Sequence, residues 1–226
     1  MCKLINKYSK TGNLKYISHL DVLRFIQRAV KRADLPAKYS EGFNPHMKTA
    51  FGYPLSLGTE SIGEYFEIEM NEKTDPELFM KKMNSVLPKE MQILMSRESN
   101  STESLMSVCA FAEYLITLET RLIDINELNK LFDEMLSDGM VFPRQKKNKK
   151  NQTVIKEINT KDYIKYLKAQ KHSEDKVTVE AVFLTTETGS MKVDELLKLV
   201  EGKGFTFDYH TIMKIDALDK DMKPIM

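Results

Sequence analysis

The sequence predicts an α+β protein made of two successive β-α-β-β-α-β rounds, the second carrying an insertion. Three observations carry that prediction. Apolar residues recur at helical spacing in some segments and in strand-like runs in others, in an order that repeats along the chain. Pro, Gly and Asp punctuate the changes of period, as in Leu35-Pro36 and Asp75-Pro76. A polar stretch without a period, Arg97 to Met106, separates the two rounds.

The first round opens with the short β-prone runs Lys3–Tyr8 and Leu14–Ile17, read as strands around a turn at Ser9–Asn13. Ser18 is a helix N-cap with Asp21 at the capping-box position. The helix it starts runs to about Ala33. Val22, Leu23, Phe25, Ile26, Ala29, Val30 and Ala33 share one side; Asp21, Arg24, Gln27, Arg28, Lys31 and Arg32 share the other. A structured loop covers residues 37–46. Two strands follow, Lys48–Leu57 and Ile62–Met70, and the alternation of Tyr65, Glu67 and Glu69 with Phe66, Ile68 and Met70 predicts one wet sheet face. A second helix starts after Asp75 with Pro76 in its first turn and ends at Pro88. Met91–Ser96 completes a β-α-β-β-α-β order, which is the ferredoxin-like unit.

The second round reads as a strand at Val108–Glu119 and a helix at Ile125–Leu136. A hairpin, Met140–Gln145 with Thr153–Ile158, carries the basic tip Lys146–Lys150. A helical turn is expected over Thr160–Leu167, then a strand at Val177–Thr185, a helix at Lys192–Glu201 and a strand at Phe205–Ile215. The expected division is therefore a first domain over 1–98, a linker at 99–106, and a second domain over 107–226. Both are ferredoxin-like, the second with the hairpin inserted.

Composition excludes several classes. Of the residues, 42% are hydrophobic and 30% charged, as in ordinary globular chains. No apolar run is long enough to span a membrane. Charges come too early at the N-terminus for a signal peptide, and Cys2 and Cys109 cannot form a disulfide framework, so a reducing cytoplasmic setting is expected. The net charge of +1 hides two basic segments. Leu14–Lys48 has seven cations against three acids, and Phe142–Lys176 has eleven against four.

Functional chemistry concentrates between Ser18 and Glu64. His19, Asp21 and His46 are the candidates for catalysis, and they could in principle supply three metal ligands with an open position. Their spacing is no metal signature, and capping explains Ser18 and Asp21, so no metal and no cofactor is expected. No serine sits in a Gly-x-Ser-x-Gly elbow, and Cys109 lies in an apolar strand pattern. An RNA or phosphate site fits better. Ser18, Arg24, Arg28, Lys31, Arg32, Phe43, Asn44, Lys48 and Glu64 are its candidates: Arg grips phosphate and aromatic rings such as Tyr39 and Phe43 stack on bases.

These residues also carry a resemblance. Ser18-His19-Leu20-Asp21, then Arg24, Arg28, Arg32 and Ala33, Leu35-Pro36, Tyr39-Ser40-x-Gly42-Phe43-Asn44-Pro45-His46-x-Lys48, and Pro54-Leu55-x-Leu57-Gly58-x-x-Ser61-x-x-Glu64 resemble the bacterial radical-SAM-linked domain of unknown function. Ile158-Asn159-Thr160-Lys161-Asp162-Tyr163-Ile164 resembles that family's second, shorter motif, and Met47 stands where the family usually has proline. The resemblance implies a stand-alone partner of a radical SAM protein, in RNA or ribosome-related modification. The chain lacks the Cys-x3-Cys-x2-Cys that holds a radical SAM cluster, so such chemistry belongs to the partner. The expected function is an accessory protein that binds RNA or presents a substrate and is not catalytic by itself. The alternatives are an enzyme with a His/Asp/Asn/Lys site in the first domain, and a protein–protein adaptor without RNA contact.

Overall fold

The computed structural model describes residues 2–147, 151–186 and 189–226. Within them the protein is α+β, with five α-helices. It divides into two compact units, Met1–Ala110 with Met213–Met226, and Phe111–Ile212. The segment Met213–Met226, expected in the second domain, groups with the first unit.

The first unit runs β1 (Cys2–Lys10), α1 (His19–Arg32), β2 (Thr49–Phe51), β3 (Glu60–Met70), α2 (Pro76–Val86), β4 (Ile93–Glu98) and α3 (Leu105–Val108). β1 lies between β3 and β4, antiparallel to both. One edge of β3 is shared. β2 pairs with it at Phe66–Ile68, antiparallel. At Glu60 and Ser61 it pairs in parallel with Met213 and Lys214, which makes the sheet mixed.

α1 forms as its pattern requires. Ser18 Oγ accepts from Asp21 N at 3.2 Å, and Lys31 and Arg32 occupy the last turn, where cations suit the helix dipole. Val22, Ile26, Ala29 and Val30 are buried with Leu4, Tyr8, Phe66 and Ile68 from the sheet and Phe79 and Met83 from α2. Each of the Val, Leu, Ile, Phe and Met side chains among them contributes about 1.5–3 kcal/mol of burial.

The structure corrects four expectations in this unit. Leu14–Ile17 is not a strand: Gly12–Tyr16 is a 3-10 helix, entered through Gly12 at φ +56°. The strand expected at Lys48–Leu57 is only Thr49–Phe51, because Gly52 and Pro54 follow at once. The expected linker contains α3, whose Leu105 is buried. The outer face of β3 is not wet. Tyr65 is 2% exposed and Glu67 7%. Tyr65 clusters with Leu105, Cys109, Ala217 and Ile225, residues far away in sequence.

The second unit runs β5 (Phe111–Glu119), α4 (Ile125–Ser137), β6 (Val141–Lys147), β7 (Thr153–Asn159), β8 (Ile164–Ser173), β9 (Lys176–Thr186), β10 (Gly189–Ser190) and α5 (Val193–Gly202). β11 (Tyr209–Leu218) begins in this unit and ends in the first. β9 pairs antiparallel with β5 along one edge, and with β8 and β10 along the other. β6 and β7 form a two-stranded sheet of their own. Residues 148–150 of the expected basic tip lie outside the described residues.

Here the missed element is β8. A helical turn is expected over Thr160–Leu167, but only Thr160–Asp162 is a 3-10 helix. The strand that follows shifts register between Ile164 and Tyr166 and again between Lys171 and Ser173, which breaks the period-two signal in the sequence.

Candidate functional site

The residues of the sequence block have three kinds of setting: an exposed cationic helix face, a loop pinched on itself, and a histidine beside a buried polar centre.

On α1, Ser18 and Asp21 serve the helix start: Ser18 Oγ donates to Asp21 Oδ2 at 2.6 Å and accepts from Asp21 N. Arg24 lies 3.6 Å from Asp21, both side chains being more than half exposed. Arg28 and Lys31 are exposed, and the Lys31 ammonium sits 5.8 Å from the centre of the Tyr39 ring. Arg32 differs. Its guanidinium lies 5.9 Å from the Phe25 ring and donates to Val86 O at 3.1 Å, so it also braces α1 to α2. Among the described residues, Arg28, Lys31 and Arg32 have no carboxylate oxygen within 4.0 Å.

The loop after α1 closes on itself. Ser40 N donates to His46 O at 2.8 Å, His46 N donates to Ser40 Oγ at 3.0 Å, and Ser40 Oγ meets His46 Nδ1 at 2.8 Å. Met47 is buried and anchors the loop. Between these anchors Phe43 is fully exposed and Asn44 is exposed. Lys48 pairs with Glu69 at 3.6 Å, beside Lys38 at 3.4 Å. It lines a shallow cavity of about 160 Å³ with Lys3, Thr49, Glu67 and Glu69.

His19 faces other groups. Its ring meets Phe51 edge-on at 5.9 Å. Burial lowers its pKa; the Glu64 charge opposes that shift and the Lys10 charge adds to it. His19 and Glu64 are thus electrostatic neighbours, whereas the polar contacts of His46 are to Ser40. Among the described residues, no group of three or more His, Cys, Asp or Glu is placed to hold a metal ion.

Glu64 opens onto a buried centre that sequence reasoning missed. Its Oε1 accepts from Lys214 Nζ at 2.7 Å and from Ser61 Oγ at 3.0 Å. Asp216 accepts from Lys7 Nζ at 2.6 Å, from the Tyr65 hydroxyl at 2.5 Å and from Ala217 N at 2.9 Å. Lys10 is 2% exposed and donates to Ile17 O at 3.0 Å. Burial, reinforced by Glu64, pushes the Tyr8 hydroxyl well above its ordinary pKa, and burial together with the bond to Asp216 does the same for Tyr65. Burial also pushes the Cys109 thiol up to about 11, which leaves it protonated and unreactive at neutral pH. Gly63 lies where β3 meets β11: a Cβ there would come 2.4 Å from Ile215 O. The available signal was a pair of charges, Lys214 and Asp216, among the apolar residues Ile212, Met213, Ile215, Ala217 and Leu218 at the end of the strand.

A family model described as an uncharacterized protein conserved in bacteria (DUF2344) matches residues 3–193. The chain belongs to this family. The match takes in both units and ends in α5. No match is found among the curated proteins. Among solved structures the chain is similar to a chain of a Cbf5–Nop10–Gar1 complex, with a TM-score of 0.52 at 9% identity, covering 95% of this chain and 48% of that one. It is also similar to a chain of an H/ACA RNP bound to a substrate RNA containing 2′-deoxyuridine, with a TM-score of 0.47 at 9% identity, covering 98% and 48%. The chain thus spans about half the length of the solved chains it matches. At this identity the first likeness concerns the fold alone.

A second cavity, of about 430 Å³, opens in the second unit beside Glu119, Arg121, Asp175 and Asp208. It holds none of the candidates named from the sequence.

Proposed function

We propose that this protein is an RNA-binding or substrate-presenting accessory protein, working with a radical SAM protein in RNA or ribosome-related modification in the cytoplasm. In this reading Arg24, Arg28 and Lys31 hold the phosphate backbone and Phe43 and Tyr39 offer rings to unpaired bases. Each unit is a variant of the ferredoxin-like arrangement. The radical SAM partner rests on the motif between Ser18 and Glu64; the RNA contact rests on one observation. The outward face of α1 presents Arg28 and Lys31, which have no carboxylate partner among the described residues, and Lys31 lies over the Tyr39 ring, on the loop that also carries the fully exposed Phe43. Buried cations need a partner; solvated ones are left available for a polyanion.

The test is binding of a labelled unpaired RNA, followed by fluorescence anisotropy at several salt concentrations. Arg28→Glu and Lys31→Glu should each weaken binding by more than simple neutralisation of one cation would, because they add repulsion. The slope of log K against log salt should fall by about 0.7 for each phosphate that is no longer neutralised on a single strand. Arg32→Glu is the wrong probe, since it also removes the brace to Val86 and Phe25. Equal affinity in wild type and both variants would remove the RNA reading and leave the adaptor and enzyme readings.

A further inference from the structure

Phe43 contributes nothing to the core. It is fully exposed, so both faces of its ring are open to water and no burial stabilises it. The loop that carries it is nevertheless firmly closed. Tyr39 and Met47 form an antiparallel bridge, and Met47 is buried in the core of the first unit. Ser40 and His46 bond through main chain and side chain, as described above. Nearer the sheet, Lys48 N donates to Lys38 O at 2.9 Å, Lys38 N donates to Glu69 O at 2.8 Å, and Glu69 N donates to Lys48 O at 3.0 Å. Both arms of the loop are thus fastened to β3.

Beyond this closed base only residues 41–45 remain, and all five are exposed. Two of them restrict the backbone around the ring. Gly42 turns the chain at φ +114°, where a side chain would be strained although nothing lies within 4 Å of its Cβ position. Pro45 fixes its own φ and restrains Asn44 before it. A loop closed at its base and stiffened on both sides of its tip loses little freedom when the ring is bound.

Tyr39 is the contrast. It is 36% exposed, and the Lys31 ammonium lies over its ring, 5.8 Å from the centre. With that face occupied, Tyr39 offers the other face to a single base. Phe43 offers two.

We propose that Phe43 is an intercalating wedge: its ring enters between two successive bases of an unpaired RNA strand and stacks on both. The proposal rests on the RNA reading of the α1 face and deepens it, because the preferred substrate becomes a strand with a step that parts easily. Apolar side chains such as Phe part base steps in this way, at a cost in lost base–base stacking. Stacking of the bases on the two ring faces offsets that cost. Arg28 and Lys31, which lack carboxylate partners among the described residues, select a polyanion over a neutral protein pocket for the ring. The tip itself carries Glu41 and no cation. It therefore holds no phosphate, and the wedge adds affinity without adding counterion release.

The experiment measures anisotropy of a short labelled oligoadenylate, and of the same strand with one central base removed, against the whole protein at several salt concentrations. Adenine bases stack along a single strand, so the intact step must be parted, whereas the abasic gap is already open. The variants are Phe43→Ala and Arg28→Glu, with circular dichroism and thermal midpoint as fold controls. Wild type should bind the gapped strand several-fold more tightly than the intact one. Phe43→Ala should bind the gapped strand at least about tenfold more weakly than wild type does. It should also lose the preference for the gap and keep the wild-type salt slope, since no charge is removed. Arg28→Glu should lower both affinity and slope, equally for the two strands. Equal or weaker binding of the gapped strand by wild type overturns the wedge, as does wild-type affinity in Phe43→Ala. The two readings fail differently. Weakening by Arg28→Glu with none by Phe43→Ala sinks the wedge alone. Weakening by Phe43→Ala with none by Arg28→Glu keeps the wedge and sinks the phosphate role of α1. A wild type that binds neither strand removes both and leaves the ring to a protein partner.

Discussion

Lysine and arginine occur in two opposite settings in the first unit. Inside, Lys7 and Lys214 are fixed to Asp216 and Glu64 at 2.6 and 2.7 Å, in a centre that also takes in Tyr65 and Ser61. Outside, Arg24, Arg28 and Lys31 project from α1 into solvent, and among the described residues only Arg24 has a carboxylate nearby, 3.6 Å away. The same residue types hold the chain together in one place and stand ready for a partner in the other. Burial and pairing decide which. A buried charge must be matched within hydrogen-bond reach, and the match here crosses from β1 and β3 to β11, fastening a strand remote in sequence.

The comparison is most easily broken at Asp216. Asp216→Ala leaves the Lys7 ammonium and the Tyr65 hydroxyl buried without their acceptor. It should cost about 3–5 kcal/mol in urea unfolding, the usual cost of removing one partner of a buried pair. A cost below about 1 kcal/mol would mean that the pair is solvated and the contrast false. The Glu64–Lys214 pair sharpens the point with the opposite sign. Replacing both, Glu64→Leu with Lys214→Met, should change stability little or raise it by about 1–4 kcal/mol, because desolvation of two charges disappears with their attraction. A large destabilisation from this double change would show that the pair does more than fasten β11.

His19 stands at the border of the two settings. Burial lowers its folded pKa below the ordinary value of about 6.5, so the folded state holds the proton less tightly than the unfolded chain does. Its contribution to stability is present above that value and is lost as pH falls through the lower, folded one. An NMR titration should place the His19 midpoint below about 6.5, and Glu64→Gln should lower it further, because the Glu64 charge works to raise it. A midpoint at or above about 6.5 would put His19 with the solvated groups. The smallest effect belongs to Arg28→Glu, which should move stability by no more than about 0.5 kcal/mol while weakening RNA binding.

Much of this was legible in the sequence. The 3.6-residue period and the Ser18 cap determined α1 and which of its sides faces water. Asp75-Pro76 determined the start of α2, and the Asp124 cap that of α4. These are local signals: caps, breakers and periods act within a few residues, so a sequence displays them directly. Arg28 and Lys31 were placed on the solvent side of α1 for the same reason, and Glu64 was named before its partners were known.

Tertiary structure decided what depends on long separations in the chain. Glu67 looks like a residue of a wet face until α3 and the C-terminal segment are placed over that side of the sheet. Lys214 and Asp216 acquire meaning only when β11 lies against β3, a contact 150 residues away in sequence for Lys214 and Glu64. β8 was hidden because two register shifts erase its alternation, yet hydrogen bonds to β9 hold it as a strand. His19 and His46, 27 positions apart and alike in sequence, acquire different polar neighbours because one starts a helix packed on the sheet while the other closes a loop with Ser40. Local free energies of a few tenths to about 1 kcal/mol shape the elements. Burial of charge, worth several times more, chooses which elements meet.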